Sequence, residues 1–149
     1  MIELKVKKIT SDARMPEQAH QGDLFDVFVN EDANLNSYEA KIVKLGIALD
    51  IPSGYRVKLF ARSSLSIKKK IIVSNSVGII DSNYKDELGL ICHTLPTNKM
   101  ENNVVDVKKG DKIAQLQLEK IVDCRIAEVT NLDISNDRGG GFGSTDKKQ

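Results

Sequence analysis

Along this chain apolar and polar residues alternate in short runs, or β-branched residues cluster, and few windows carry the 3.6-residue period of a helix. The candidate strands are "IELKVKKI", "DLFDVFV", "EAKIVKLGIALDIP", "YRVKLFA", "IIVSNSVGII", "ELGLICHTL", "NNVVDV", "KIAQLQLEKIV" and "CRIAEV". Turn residues close them at "PSG", "DSNYKDE", "PTNKMENN" and "KKGD". So many strands at close spacing predict an all-β domain, a jelly-roll-like sandwich or barrel. One segment departs from the pattern: in "RSSLSIKKK", consecutive serines precede Leu65 and Ile67 and predict one short helix. No internal repeat is visible. The pattern predicts a β domain over residues 1–134 and a flexible, glycine-rich C-terminal arm over 135–149, "NDRGGGFGST" being its one deliberate-looking stretch.

Composition narrows the function classes. The chain has 149 residues, the length of one ordinary domain. Its 22 Lys and Arg against 21 Asp and Glu leave a formal charge of +1, which argues against nucleic acid as a partner. No run of about 18 apolar residues occurs and the N-terminus lacks a signal-peptide pattern, so a cytoplasmic protein with no membrane association is expected. Cys92 and Cys124 are too few for a disulfide framework and too far apart for a zinc-type pair, and both are expected to be buried small hydrophobes.

Chemistry gathers in three places. Asp81 follows Ile79 and Ile80 and precedes "SNYKDE", which places a carboxylate where a strand enters a hairpin. It reads either as a turn aspartate bonded to its own backbone or as a general base for a water. Tyr84 sits near the hairpin tip, its alternative role being strand packing. In "FARSSLS", Arg62 offers a planar fork for phosphate, and Ser63 and Ser64 stand at the predicted helix start; a serine N-cap beside a surface arginine is the plainer alternative. Gln115 is expected on one strand face with Ile113 and Gln117, an amide that needs partners if buried. In the tail, Arg138 offers a fork for phosphate and Phe142 a ring face, and the glycines permit close backbone approach; no GK[ST] follows, so this is not a P-loop.

These residues fall into five segments in a fixed order, "AHQGDLFD", "ARSSL", "GIIDSNYKDEL", "GDKIAQ" and "RGGGFGST", and the sequence resembles the trimeric dUTPases over nearly its whole length. The resemblance implies hydrolysis of dUTP to dUMP and pyrophosphate, which limits uracil incorporation into DNA and supplies dUMP for thymidylate synthesis. It implies a jelly-roll homotrimer whose sites each draw on more than one subunit, with the arm of one chain closing a site built by others. By position, Asp81 would orient the attacking water and meet the sugar 3′-hydroxyl, and Tyr84 would pack under the deoxyribose and exclude a 2′-hydroxyl. Asn75, Gly78 and backbone groups around Leu88 would border the uracil pocket. Arg62, Ser63, Ser64 and Gln115 would hold the triphosphate, and Asp26 would hold Mg2+ through water, with Asp23 as its rival. From the arm, Arg138 would reach the γ-phosphate, Phe142 would stack on uracil, and Gly143, Ser144 and Thr145 would complete the closure, the last two as phosphate donors. Two motifs are shortened relative to the family: "GDLFD" lacks one residue, and Arg138 and Phe142 stand four apart instead of five.

Two other functions compete. A dCTP deaminase shares the scaffold, but the third motif has the hydrolase form and the H-x-E with P-C-x-x-C of zinc deaminases is absent. Adjacent Cys92 and His93 would point to opposite faces of a strand and so do not suggest a metal pair. A non-catalytic binding protein would not need the complete set of reaction groups present here. A regulatory protein partner, as in some phage-borne members, is compatible with catalysis.

Overall fold

The structure is a computed structural model and describes residues 2–96 and 104–140. The strands in chain order are β1 (Lys5–Lys8), β2 (Glu17–Gln18), β3 (Phe25–Phe28), β4 (Ala33–Leu35), β5 (Lys41–Lys44), β6 (Ile47–Asp50) and β7 (Tyr55–Ala61). The single described helix, α1 (Ser63–Lys69), comes next, then β8 (Ile71–Val73), β9 (Gly78–Ile80), β10 (Gly89–Thr94), β11 (Val105–Val107) and β12 (Lys112–Lys120). The largest sheet has the order β2-β3-β12-β7-β9, a second joins β5-β10-β8, and two strand pairs, β1-β6 and β11-β4, complete the layers. All pairings are antiparallel.

Alternation builds the core. In β7, Val57 and Leu59 point inward and in β12 Leu116 does, meeting Val43, Leu45, Ile47, Leu90 and Cys92 from the facing strands in one contiguous cluster. Where alternation fails there is a local cause. Ile113 and Ala114 are both buried because a β-bulge between Lys112 and Ala114 interrupts the β12–β3 register. Gln115 and Ile113 therefore do not share a face as the spacing alone predicts.

The long run "EAKIVKLGIALDIP" breaks into β5 and β6 at Gly46, whose φ of +69° lies in the left-handed region. A Cβ there would also collide with the Asn30 side chain. In α1, Leu65 is the buried anchor, Lys68 and Lys69 lie in the last turn, where the dipole favours cations, and Lys70 ends the helix at φ 56°. Arg62, not a serine, occupies the N-cap, and it makes no side-chain capping bond.

Three expectations change. The stretch "CRIAEV" forms no strand: from Val122 onward the described residues are exposed, with Val122 at 83% and Ile126 at 96% exposure. The alternation is genuine, but among the described residues no strand pairs with it. Cys92 is buried, and burial pushes its thiol up to about 12, whereas Cys124 rides the exposed segment. Finally β9 and β10 do not pair with each other. β9 is the edge strand beside β7, and β10 lies between β5 and β8, so the expected hairpin is a crossing between two sheets.

Candidate active site

The parting of β9 from β10 opens a cavity of about 440 Å³ lined by Leu59, Asn75, Gly78, Ile79, Ile80, Asp81, Asn83, Tyr84 and Leu88 to Ile91. As an edge strand, β9 has β7 on one side only, and β10 pairs with β8 only from Cys92 onward. Backbone N–H and C=O groups of both strands are thus left for whatever enters the gap, a donor and acceptor row suited to the edge of a planar base. The Leu88 backbone cannot join them. Its N–H donates to Ile47 O at 2.8 Å and its C=O accepts from Leu45 N–H at 3.0 Å, and its side chain is 2% exposed. The Ile91 C=O is taken as well, accepting the Ser74 N–H at 2.8 Å, and Leu90 pairs with Val43 of β5, so the groups left to read a ligand belong to the open side of Gly78–Ile80 and to Gly89, next to Leu88 in the region that the sequence pointed to.

Each wall is held in place. Asn75 lies in a turn where Ser76 has φ 59° and Val77 N–H donates to Asn75 O at 2.7 Å. A Cβ on Gly78 would press on Leu59 Cβ at 3.3 Å. Asp81 is exposed at the end of β9, and its C=O accepts the Tyr84 N–H at 3.1 Å, which curls the crossing back on itself. The Tyr84 hydroxyl donates to Glu87 O at 3.0 Å, so the ring stands at the cavity wall, 42% exposed.

A second cluster forms at the other end of the large sheet. Asp26 on β3 is 6% exposed and receives three partners: Lys112 Nζ at 2.8 Å, Arg62 Nε at 3.1 Å and Gln115 Nε2 at 3.2 Å. Burial pushes its carboxyl up, but the bond from Lys112, the charge of Arg62 and the bond from Gln115 outweigh it and hold the group below the usual carboxylate range. Asp23 is the turn residue instead, exposed and accepting His20 N–H at 3.0 Å. Arg62 and Ser64 also line a cavity of about 190 Å³ with Leu65, Lys68, Lys69, Asp111 and Lys112, a largely cationic recess at the start of α1, where Ser63 stands as the first helical residue.

The Asp26 cluster fits magnesium only in a limited way. Both Asp26 oxygens already accept from cations or an amide, and among the described residues no three His, Cys, Asp or Glu side chains converge. A single carboxylate between two cations suits a Mg2+ carried in on phosphate oxygens, which keeps its waters, and does not suit one caged by protein.

The sheet register separates the two clusters. Val57 pairs with Ile80, one step before Asp81, whereas Gln115 pairs with Phe60 on one side and Asp26 on the other, and Arg62 lies beyond the far end of β7. Six residues of extended chain at about 3.3 Å each put Asp81 and Arg62 roughly 20 Å apart. Arg138 is exposed and its Nε donates to Gly140 O at 2.8 Å, and Gly139 N–H donates to Asp137 at 2.9 Å. Phe142, Gly143, Ser144 and Thr145 lie outside the described residues.

The dUTPase family model matches residues 11–146. The chain belongs to the dUTPase family. A deoxyuridine 5′-triphosphate nucleotidohydrolase of Clostridium tetani is 37% identical over 145 residues, covering 97% of each chain. Among solved structures, a mutant dUTPase of Staphylococcus bacteriophage 80alpha with dUpNHpp is similar at a TM-score of 0.80 and 27% identity, covering 97% of this chain and 99% of the other. A mutant dUTPase from phage phi11 of S. aureus, described with a structural Mg(II) ion, has a TM-score of 0.74 and 28% identity over 87% of this chain and 98% of its own. The jelly-roll β fold is thereby shown, and the activity is that of a dUTP diphosphatase, the hydrolysis of dUTP. No helix among the described residues is long and apolar enough to cross a membrane.

Proposed function

We propose that the dUTPase reaction takes place between copies of this chain, by in-line attack of a water on the α-phosphorus, with pyrophosphate leaving. One observation carries the reading: the register places Asp81 and Arg62 roughly 20 Å apart along β7 in a single chain. A water poised for attack lies about 3–3.5 Å from its phosphorus. The base that holds the water and the donors that hold the phosphate must then come from different copies. A homotrimer with three such junctions meets this need and is our assembly, as the resemblance implied. The exposed segment from Val122 to Ile134 supports it, because apolar residues such as Ile126 and Leu132 left open in one chain call for cover from another copy.

In this site the base enters between β9 and β10 and is read by their backbone, with Asn75 and Gly78 at the border. Tyr84 lies under the sugar. Asp81 accepts a hydrogen bond from the 3′-hydroxyl and a proton from the water. Arg62, Ser63, Ser64 and Gln115 of another copy hold the phosphates, where Arg62 exchanges part of its pairing with Asp26 for phosphate oxygens. Magnesium bound to the triphosphate supplies charge neutralisation, and Asp26 is the carboxylate of the cluster that would hold one of its waters. From the third copy, Arg138, Phe142, Ser144 and Thr145 close over γ-phosphate and uracil.

Hydrolysis in heavy-oxygen water tests the chemistry directly. Attack on the α-phosphorus places the label in dUMP. Label in pyrophosphate would mean attack on the β-phosphorus and would sink the geometry proposed.

A further inference from the structure

The crossing from Asp81 to Leu88 carries the two residues assigned to water and sugar, yet most of it is exposed. Something must fix its height against the rest of the fold. Its far end is fastened to the β5–β6 turn: the Glu87 carboxylate accepts the Gly46 N–H at 3.0 Å, and the Leu88 backbone bonds Ile47 O and Leu45 N. The turn is a rigid abutment. Gly46 is confined by Asn30 and by its left-handed φ, and its C=O accepts Ile9 N–H at 2.8 Å. Lys85 adds a tie to Asp50 at 2.7 Å, but both side chains are more than half exposed and the pair contributes little.

The acceptor of the Tyr84 hydroxyl is the Glu87 carbonyl, so the residue that grips Gly46 through its side chain also holds the tyrosine ring through its backbone. Tyr84 borders two spaces. It lines the 440 Å³ cavity between β9 and β10 and also a cavity of about 300 Å³ shared by Ile42, Lys44, Glu87, Leu88 and Gly89. If the crossing sagged, the ring would drop toward the second space and the sugar side would widen.

We propose that Glu87 is a positioning residue that sets discrimination against a 2′-hydroxyl by holding Tyr84 at a fixed height above the Gly46 turn. This rests on the reading of Tyr84 as the residue under the sugar. The inference concerns selectivity, not folding, and so differs from the plain role of satisfying a half-buried N–H.

The test measures kcat/KM for dUTP and for UTP in the wild type and in Glu87→Ala, Glu87→Gln, Glu87→Asp and Tyr84→Ala, with thermal melts alongside. Glu87→Ala should lower the dUTP/UTP ratio at least about fivefold, since sub-ångström to ångström displacements at a reacting centre carry effects of up to about a hundredfold. Glu87→Gln keeps an acceptor at the same reach and should stay within about twofold of wild type; Glu87→Asp, one methylene short, should fall between and serves if the alanine variant does not fold. A lowered melting temperature in Glu87→Ala with an unchanged ratio overturns the inference and leaves Tyr84 in its role. An unchanged ratio in Tyr84→Ala overturns the reading of Tyr84 and the inference with it.

Discussion

A site split between copies makes a quantitative prediction for mixed assemblies. Asp81→Asn removes the general base and should lower turnover by about 10²–10⁴-fold, with little effect on folding because the side chain is exposed. Arg62→Ala removes a phosphate donor of the other cluster and should cost about 10²–10³-fold, the loss typical of one preorganised donor. Neither variant works alone. In a cyclic trimer of the two, mixed equally by denaturing and refolding together, a junction is intact only when one copy brings a wild-type Asp81 and its neighbour a wild-type Arg62. Each condition holds with a chance of one half, so about a quarter of the junctions regain full activity. Against a residual of about one hundredth or less, the mixture should rise about 25-fold or more above either parent. A second mixture fixes the geometry: wild type with the double variant should retain about a quarter of wild-type activity if the groups act across copies, and about half if they act within one chain. Pyrophosphate release reads both, and differential tags on the two chains verify that mixed trimers form. Mixed trimers no more active than their parents would refute the reasoning, because they would place Asp81 and Arg62 in one chain's site despite the 20 Å that the register puts between them.

Alternation along the chain was enough to locate most strands, because each half-buried strand writes its own period of two, and "RSSLSIKKK" carried enough helix-start chemistry to mark α1. What it could not carry is which strand lies beside which. "IIVSNSVGII" and "ELGLICHTL" look like the arms of a hairpin, and only the sheet order reveals that their strands part around a cavity. The same limit applies to "CRIAEV": its period is that of a strand, but a strand needs an edge, and none of the described strands pairs with it. β2 and β4, two and three residues long, are too short to show any period at all. Among site residues, the five motifs pointed to Asp81, Tyr84, Arg62 and Gln115, but not to the triple partnership of Asp26, which depends on the register of β3 on β12 and on the bulge at Ile113. Glu87 left no local signal either, since its partner N–H lies 41 residues upstream. A useful cue was present all the same: Gly46 interrupts an apolar run where the backbone must turn sharply, and a buried turn needs an acceptor for its N–H.

Two further outcomes follow from the arm and from the buried carboxylate. Ending the chain before Asn136 should leave the melting temperature nearly unchanged, as the described part of this segment is exposed, while dUTP turnover falls by orders of magnitude; Arg138→Ala should reproduce much of that loss. Asp26 supplies an acid-side signature, because burial disfavours its charge but Lys112, Arg62 and Gln115 hold its folded-state pKa below the unfolded value of about 3.9. A depressed carboxylate binds fewer protons folded than unfolded, so its contribution is complete above about pH 4 and disappears as pH falls through the folded value. Asp26→Asn should therefore lower the melting temperature at pH 7 and flatten its decline below about pH 4, whereas an equally steep acid decline in the variant would show that the cluster does not stabilise the fold through this charge.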